Sequence, residues 1–212
     1  MSRSLYIPPK NVLQKTNPID PVYWYYKPLL GYVYRKRLSL VLDALGSNFD
    51  KLIEVGYASG ILLPELSRHC KELHAVDIHN QIIPVQDMLA SENIHAHLKV
   101  GSVLDLKYAS NTFDALVCVS VLEFIEKKNL SIALKEIHRI TKTGGEIILG
   151  FPRYNRVITL FYRMCGYKQT DLYVCSDLDI LDNIKAEFSD FSISYWPKTN
   201  FQAVYYVCRC KS

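Results

Sequence analysis

The chain has 212 residues, enough for one domain with a substantial buried core and a small additional segment. Apolar residues make up 49% and charged residues 22%, the usual balance of a globular protein, and no apolar run reaches transmembrane length. A net charge of +4 is too mild to predict a nucleic-acid partner, which requires a clustered basic face.

The first 46 residues are predicted to form an N-terminal arm and a capping helix. Residues 1–21 carry four prolines and no periodic pattern, which indicates an arm rather than core and no signal peptide. Residues 22–28 are strongly aromatic and precede a helical pattern over 29–45. These rings either pack on the edge of a sheet or form a flap over a ligand. A weaker alternative is contact with a membrane surface through Trp24, the tyrosines and Arg35-Lys36-Arg37.

The most informative stretch is residues 51–60. An apolar run over 52–55 stops at Gly56, and Gly60 follows shortly before a predicted helix over 61–69, which is typical of a buried parallel strand turning into a helix. Gly56 can adopt backbone angles closed to other residues and admits a ligand close to the backbone. Glu54 is a carboxylate where a hydrophobic residue is expected. Two glycines alone indicate only a turn, but with the strand and the acid they favour a nucleotide-type cofactor site.

Strands and helices alternate after this stretch. Further strands are predicted at 73–77, 96–100, 113–119 and 146–150, separated by helices at 80–91 and 129–141, the last one ended by Gly144-Gly145. This order predicts a parallel sheet wrapped by helices, with ligands at the edge formed by the strand ends. Ser176 is a candidate N-cap for a helix ending near Phe188, and strands at 191–195 and 202–209 form a predicted antiparallel pair.

Asp77 ends the second predicted strand, beside the glycine-containing loop. A carboxylate there can accept hydrogen bonds from ribose hydroxyls, an arrangement that nicotinamide dinucleotides also use. The dinucleotide fingerprint needs a third glycine, however, and Ile61-Leu62-Leu63 follow Gly60 instead.

At this point the motifs resemble those of the class I S-adenosylmethionine-dependent methyltransferases. The resemblance covers roughly residues 38–151 and is carried, in order, by residues 54–60, 77–78, 101–106, 111–114, 122–124 and 136–145. It implies an α/β fold with a Rossmann-like, seven-stranded, mostly parallel sheet, helices on both faces and an antiparallel last strand. It also implies an S-adenosylmethionine-binding domain over 47–212, into which we place a lid-like insertion at about 152–175.

The resemblance implies which residues contact the cofactor. The set is Glu54, Gly56, Tyr57, Ala58, Gly60, Asp77, Ile78, Ser102, Val103, Val119 and Ser120. Residues 56–60 would surround the methionine part, with Glu54 near its amino group. Asp77 would bind the ribose hydroxyls, Ile78 and residues 102–103 would meet the adenine, and residues 119–120 would line the floor near the sulfonium.

Two positions depart from the family pattern. Ala58 replaces a usual glycine, and Ser102 stands where an aspartate commonly accepts from the adenine amino group. A neutral hydroxyl gives a weaker bond than a carboxylate, so we expect ordinary or weak cofactor affinity.

No motif identifies a general base. The candidates are His79, Glu123, Tyr23 and Tyr25, each of which also has a structural interpretation. Residues 118–122 lack the Asn/Asp-Pro-Pro-aromatic motif, and no proline precedes Cys118, which disfavours nucleic-acid bases as acceptors. We therefore predict a cytoplasmic methyltransferase acting on a small molecule. The basic, aromatic segment 152–175 indicates an acidic or partly apolar acceptor. The alternative is a catalytically silent cofactor-binding or interaction protein.

The six cysteines show no Cys-x-x-Cys pair, and reduced, buried thiols are expected. Cys208 and Cys210 face the same side of a predicted strand, but no histidine or acid cluster accompanies them in the sequence. We therefore predict no metal site.

Overall fold

The computed structural model describes residues 5–153, 155, 159–160, 174–197 and 203–212, and the structural statements below concern these residues. The greater part of the predicted lid at 152–175 lies outside them, as do Phe161, Tyr162 and Tyr167, the rings that suggested it. The lid and the boundary at residue 46 therefore stay predictions.

A single seven-stranded sheet forms the centre of the molecule. Its strands are β1 (Phe49–Val55), β2 (Cys70–Asp77), β3 (His97–Val100), β4 (Phe113–Val119), β5 (Thr141–Pro152), β6 (Phe191–Trp196) and β7 (Tyr205–Lys211). The order is β3-β2-β1-β4-β5-β7-β6; neighbours among β1–β5 pair in parallel, and β7 is antiparallel to both β5 and β6. This confirms the predicted mostly parallel sheet with an antiparallel last strand.

Among the described residues, five α-helices cover the two faces of the sheet. They are α1 (Pro28–Ala44), α2 (Leu63–Leu66), α3 (Ile82–Ser91), α4 (Leu130–Ile140) and α5 (Asp177–Glu187). Successive residues of β1 point to opposite faces, so Leu52 joins the core under α1, α2 and α3 while Ile53 joins the core under α4 and α5. The apolar run of β1 is explained by burial on both faces.

The helix predicted over 61–69 is wrong in its extent, because only Leu63–Leu66 is α-helical. The bonds from Arg68 N to Glu65 O and from His69 N to Leu66 O span three residues and tighten the backbone into a turn. β2 begins at Cys70, so the chain must reverse within a few residues of Leu66. A helix of four residues has only a small macrodipole to direct toward Gly60.

The predicted role of Gly144-Gly145 as a helix stop is also wrong. The helix ends at Ile140, and both glycines lie inside β5, where Gly144 has a φ of 76°. Between the pairs Phe113–Thr141 and Ala115–Glu146, β4 advances two residues while β5 advances five. The glycines therefore form a bulge that absorbs the extra residues.

The N-terminal segment is not a loose arm. Leu13, Thr16 and Asp20 are buried, and Leu13 belongs to the same core cluster as α1. The Asp20 carboxylate accepts from Thr16 N at 3.1 Å, Thr16 Oγ1 at 3.0 Å and Val22 N at 3.0 Å. These bonds hold the chain in a tight turn just before the aromatic stretch.

The N-terminus of α5 provides a stability test. Ser176 Oγ accepts from Asp179 N at 3.1 Å, and Asp179 accepts from Ser176 N at 3.2 Å, which is the predicted N-cap extended into a reciprocal capping box. We expect Ser176→Ala to lower the free energy of unfolding by about 1 kcal/mol in urea denaturation. The exposed strand residue Ser192 provides the control, since Ser192→Ala should change stability by less than about 0.5 kcal/mol. Equal stability of the two variants would contradict the capping role.

Candidate functional site

A cavity of about 320 Å³ opens where β1, β2 and β4 end at the carboxyl edge of the sheet, close to the lower limit for small-molecule sites. Its lining is Asn17, Ile19, Asp20, Pro21, Trp24, Tyr34, Arg37, Val55, Gly56, Ala58, Val76, Asp77, Ile78, Gly101, Ser102, Val103, Ser120, Val121, Glu123, Phe124 and Ile125. The strand order reverses at this point, because β2 lies on one side of β1 and β4 on the other. Crevices of this kind bind ligands in open α/β sheets.

Seven of the eleven predicted cofactor positions line this cavity: Gly56, Ala58, Asp77, Ile78, Ser102, Val103 and Ser120. The other four, Glu54, Tyr57, Gly60 and Val119, are not part of the lining. Among the lining residues, Ile78 is notable because 79% of its surface is exposed. A large apolar side chain exposed at the wall of a cavity offers a flat ligand a contact surface.

Asp77 ties the loop after β1 to the end of β2. Its Oδ2 accepts from Ala58 N at 2.8 Å and its Oδ1 from His79 N at 3.2 Å. His79 Nε2 lies 2.9 Å from Ala58 O, so the loop is held from both sides. Ala58 has a φ of 44°, a conformation that favours glycine, which explains why glycine is usual at this position.

Gly56 is required by its surroundings as well as by its backbone. Its φ is 83°, and a Cβ added there would lie 2.1 Å from Val121 Cγ2. The missing side chain thus allows the loop after β4 to pack against the end of β1. This contact brings the two strand-end loops together around the cavity.

Glu54 carries a buried carboxyl group behind this loop. It is 3% exposed, and its Oε2 has no hydrogen-bond partner among the described residues. Burial, followed by the nearby negative charge of Asp77, raises the pKa of Glu54 to about 8. The group is therefore largely protonated at neutral pH and suited to accept a hydrogen bond from a cation that enters beside it.

Glu123 is the second buried carboxyl group, and it lines the cavity directly. It is 1% exposed, and its Oε2 also lacks a partner among the described residues. Burial raises the pKa of Glu123 to about 8, although its own backbone N–H, the Arg37 charge and Ser120 each lower it. A carboxyl group with a pKa near neutrality can accept or release a proton at physiological pH.

Ser120 lies beside Glu123 in a strained conformation. Its φ is 56°, and its Oγ lies 3.2 Å from the hydroxyl of Tyr205 on β7. Gly150 makes room for that ring, because a Cβ at residue 150 would lie 2.7 Å from the Tyr205 hydroxyl. Strained residues of this kind are concentrated at functional sites, where the surrounding packing holds them in place.

The remaining candidate bases have different environments. Tyr25 is buried, its pKa is raised by that burial, and Arg37 Nη2 lies 3.4 Å from its hydroxyl. Tyr23 is 45% exposed, and neither tyrosine is part of the cavity lining. His79 holds the loop through Ala58, as described above. Only Glu123 combines contact with the cavity and a pKa close to neutrality.

One wall of the cavity comes from residues outside the set that the sequence assigned to the cofactor. These are Asn17, Ile19, Asp20 and Pro21 before the aromatic stretch, Tyr34 and Arg37 on α1, and Val121, Phe124 and Ile125 after β4. Trp24 also lines the cavity, whereas its neighbours Val22 and Tyr25 are buried in the core. The aromatic stretch therefore contributes both to the hydrophobic core and to the cavity wall. The signal available in the sequence was the Asn17-Pro-Ile-Asp20-Pro turn pattern.

Two of the three cations that suggested membrane contact, Arg35 and Arg37, make contacts within the fold. Arg35 Nη1 donates to Tyr25 O at 2.6 Å, and the Arg37 guanidinium lies over the rings of Tyr34 and Tyr205 at 4.7 and 5.1 Å. Within the described part of the chain, no helix combines the length and apolar character needed to cross a membrane. The five described cysteines are free thiols, and four of them are buried.

Comparisons with known proteins find sequence and fold similarity to methyltransferases. Residues 53–149 match a family described as a methyltransferase domain. Nodulation protein S of Azorhizobium caulinodans is 28% identical over 123 residues, covering 56% of this chain and 58% of that protein. Ubiquinone biosynthesis O-methyltransferase of Xanthomonas oryzae pv. oryzae is 28% identical over 127 residues, covering 58% of this chain and 51% of that protein. The alignment thus spans little more than half the length of these curated relatives.

A solved structure extends the likeness to the whole fold. The N-methyltransferase NodS of Bradyrhizobium japonicum WM9, in complex with S-adenosyl-L-homocysteine, has a TM-score of 0.68 at 18% identity, covering 93% of this chain and 94% of that one. The fold and the strand-end site define a Rossmann-like protein that binds a nucleotide-type ligand. The match over residues 53–149 and the likeness of the fold are those of a class I S-adenosylmethionine-dependent methyltransferase.

The buried carboxyl of Glu54 predicts how stability depends on pH. Its pKa is higher in the folded protein than in an unfolded chain, where glutamate has a pKa of about 4.3, so its stabilising contribution is complete below about pH 4.3 and is lost as the pH rises toward about 8. The free energy of unfolding of the wild type should therefore decrease as the pH rises, and Glu54→Gln should reduce this decrease by up to roughly 1.4 kcal/mol per pH unit. Urea denaturation of the ligand-free protein between about pH 5 and pH 8 measures the free energy of unfolding.

The control for this experiment is Glu126→Gln, which makes the same chemical change at an exposed carboxylate. It should leave the pH profile of the wild type unchanged. If the profiles of Glu54→Gln and the wild type run parallel over this range, Glu54 does not carry the raised pKa.

Proposed function

We propose that the protein transfers a methyl group from S-adenosylmethionine to a small-molecule acceptor. The observation that carries the proposal is the cavity at the carboxyl edge of the sheet. On one side it is lined by Asp77, Ile78 and Ser102, and on the other by Ser120 and Glu123. The first side suits a nucleoside, and the second offers a titratable group beside an apolar wall.

The described residues fit the cofactor of the family. Asp77 would accept from the ribose hydroxyls, the exposed Ile78 would lie against the adenine, and Ser102 would meet the adenine edge. Glu54, whose buried Oε2 lacks a partner among the described residues, is suited to the amino group of the methionine part. Ser102 Oγ already accepts from Leu104 N at 3.2 Å, which supports the expectation of ordinary or weak affinity.

The chemistry required of the protein is modest. When bound, S-adenosylmethionine supplies a methyl group activated by its positive sulfur. The side chains of this chain must hold the acceptor atom in line with that methyl and exclude water. Trp24 and Phe124 provide apolar surface for both tasks. Glu123 is placed to take a proton from an acceptor that must lose one.

The cavity favours a partly apolar acceptor with an amine or hydroxyl group. Asp20 and Glu123 line it, and Arg37 is the one cation among the described residues of the lining. The solved structure from Bradyrhizobium japonicum is named an N-methyltransferase and the relative from Xanthomonas oryzae an O-methyltransferase, and both acceptor types suit a neighbouring carboxyl group. The basic residues that suggested an acidic acceptor lie outside the described part of the chain, except Arg153, whose guanidinium lies over the Tyr206 ring.

Cofactor binding is the first test. Calorimetry should show binding of S-adenosylmethionine and no response to NAD. Asp77→Ala should weaken binding by at least about tenfold, because a charged hydrogen bond contributes roughly 1.5–3 kcal/mol. Asp77→Asn keeps the shape and removes the charge, which separates loss of the ribose contact from collapse of the loop that Asp77 supports.

The matched control is Asp87→Ala, since Asp87 is an exposed aspartate on α3 away from the cavity lining. It should bind as tightly as the wild type. NAD binding without a response to S-adenosylmethionine would refute the cofactor assignment, and unchanged affinity in a folded Asp77→Ala would refute the role of Asp77.

Turnover tests the proposed role of Glu123. Formation of S-adenosylhomocysteine is measured with panels of amine, phenol and carboxylate acceptors. With a protonated acceptor, kcat should rise as Glu123 ionises near pH 8, and Glu123→Gln should lower kcat by about 10²–10⁴-fold and remove this pH dependence. Cofactor affinity should stay within about twofold, because this side chain is assigned to the acceptor.

Outcomes against the proposal are distinct. Tight cofactor binding without turnover on any panel would favour the catalytically silent alternative. Full activity in Glu123→Gln would leave the methyltransferase in place and remove Glu123 from its chemistry.

A further inference from the structure

Two imidazoles and a carboxylate meet at the edge of the sheet, away from the cavity. Glu72 Oε1 lies 2.6 Å from His74 Nε2 and 3.8 Å from His97 Nε2, and the three ligand atoms lie within 4.8 Å of one another. Both histidines therefore direct the same ring nitrogen toward one carboxylate oxygen. The two rings stack with centroids 4.6 Å apart.

The register between β2 and β3 brings these three side chains together. His74 and His97 are direct partners in the parallel ladder of β2 and β3, and Glu72 precedes His74 by two residues, on the same face of the sheet. His74 also packs edge-on against Tyr108 and Phe113, which fix its ring from the core side. The group therefore rests on rigid strands and aromatic packing.

We propose that Glu72, His74 and His97 form a binding site for a divalent transition metal, with zinc the best match, which ties the edge strand β3 to β2. Two imidazole nitrogens and one carboxylate oxygen are preferred zinc ligands, and three protein ligands leave a fourth position for water. Ligand atoms around tetrahedral zinc lie about 3–3.5 Å apart. Glu72 Oε1 and His74 Nε2 are 2.6 Å apart, which is closer than this spacing. A movement of the half-buried Glu72 side chain by less than about 1 Å would bring the two atoms to the distance that zinc requires.

The surroundings support metal binding. Lys51 Nζ lies 3.1 Å from Glu72 Oε2 and 3.4 Å from Oε1, so this ammonium group holds the carboxylate in place beside the imidazoles. The His97 side chain is 47% exposed and provides access from solvent.

Other charged groups lie close to this site. His95 lies beside His97 with ring centroids 5.0 Å apart, and Lys99 Nζ lies 4.3 Å from the centre of the Tyr108 ring. His95 is close enough to serve as an additional ligand after a side-chain rotation. Because the imidazoles must be deprotonated to bind a metal, zinc affinity should fall as the pH is lowered.

The site is separate from the proposed reaction. Glu72 and His74 lie toward the start of β2, whereas Asp77 ends the same strand at the cavity. β3 has four residues and pairs with β2 alone, so it has few backbone bonds to hold it. A metal bridging the two strands would stabilise this edge without entering the chemistry.

Titration calorimetry with zinc chloride tests the proposal on the full, untagged chain. We expect one zinc ion per chain, an affinity at least about tenfold weaker in His97→Ala and in Glu72→Gln, and a melting temperature that rises with zinc in the wild type. Hydrogen exchange should show stronger protection of the β3 amides with zinc, and His97→Ala should lose that gain.

The matched control is His138→Ala. His138 Nδ1 lies 2.7 Å from Glu187 Oε1, a histidine–glutamate pair without a second imidazole, so this variant should bind zinc like the wild type. No zinc binding at millimolar concentration in the wild type would overturn the proposal and leave an ion pair between Glu72, His74 and Lys51. Wild-type affinity in a folded His97→Ala would also overturn it and assign the zinc to another site, such as the half-buried thiol of Cys70.

Discussion

The constraint on which the rest of the structure depends is the position of β1 between two parallel neighbours that belong to opposite halves of the sheet. β2 and β4 both pair with β1, so the loops that follow these strands diverge and leave a crevice at their ends. Gly56 lets the chain turn out of β1 without colliding with Val121, and Asp77 then ties that turn to the end of β2. A side chain at residue 56 would push the two loop systems apart and remove the cavity that they enclose.

Two buried carboxyl groups show that this region is arranged for binding rather than for stability alone. Burying a polar group without a partner costs about 1–3 kcal/mol, and Glu54 and Glu123 each keep an oxygen without one among the described residues. Both carboxyls reduce this cost by holding their protons, which is why their pKa values rise to about 8. A ligand that donates to them would recover part of that free energy, so the cost is tolerated where a ligand is expected.

Sequence patterns predicted the fold well where the signal was local. The apolar run ending at Gly56, the acid that ends β2 and the N-cap at Ser176 each depend on a few neighbouring residues. Predictions failed where distant parts of the chain decide the outcome. Gly144 belongs to a bulge that only the pairing of β4 with β5 creates, and the helix after Gly60 is cut short because β2 must begin at residue 70. The meeting of His74 with His97 depends on strand register, which residue spacing does not reveal.

The two halves of the cavity also differ in whether the parallel topology or packing between distant segments positions their residues. The half assigned to the cofactor comes from strand ends, whose positions follow from the parallel topology and are shared by every protein built on it. The other half comes from the N-terminal turn held by Asp20, from α1 through Arg37 and from the loop after β4. These elements reach the cavity by packing contacts outside the sheet, so they can change without disturbing it. The strand-end half of the cavity therefore follows from the fold that the comparisons show, whereas the other half depends on packing contacts outside the sheet, with Glu123 at the boundary between the two halves.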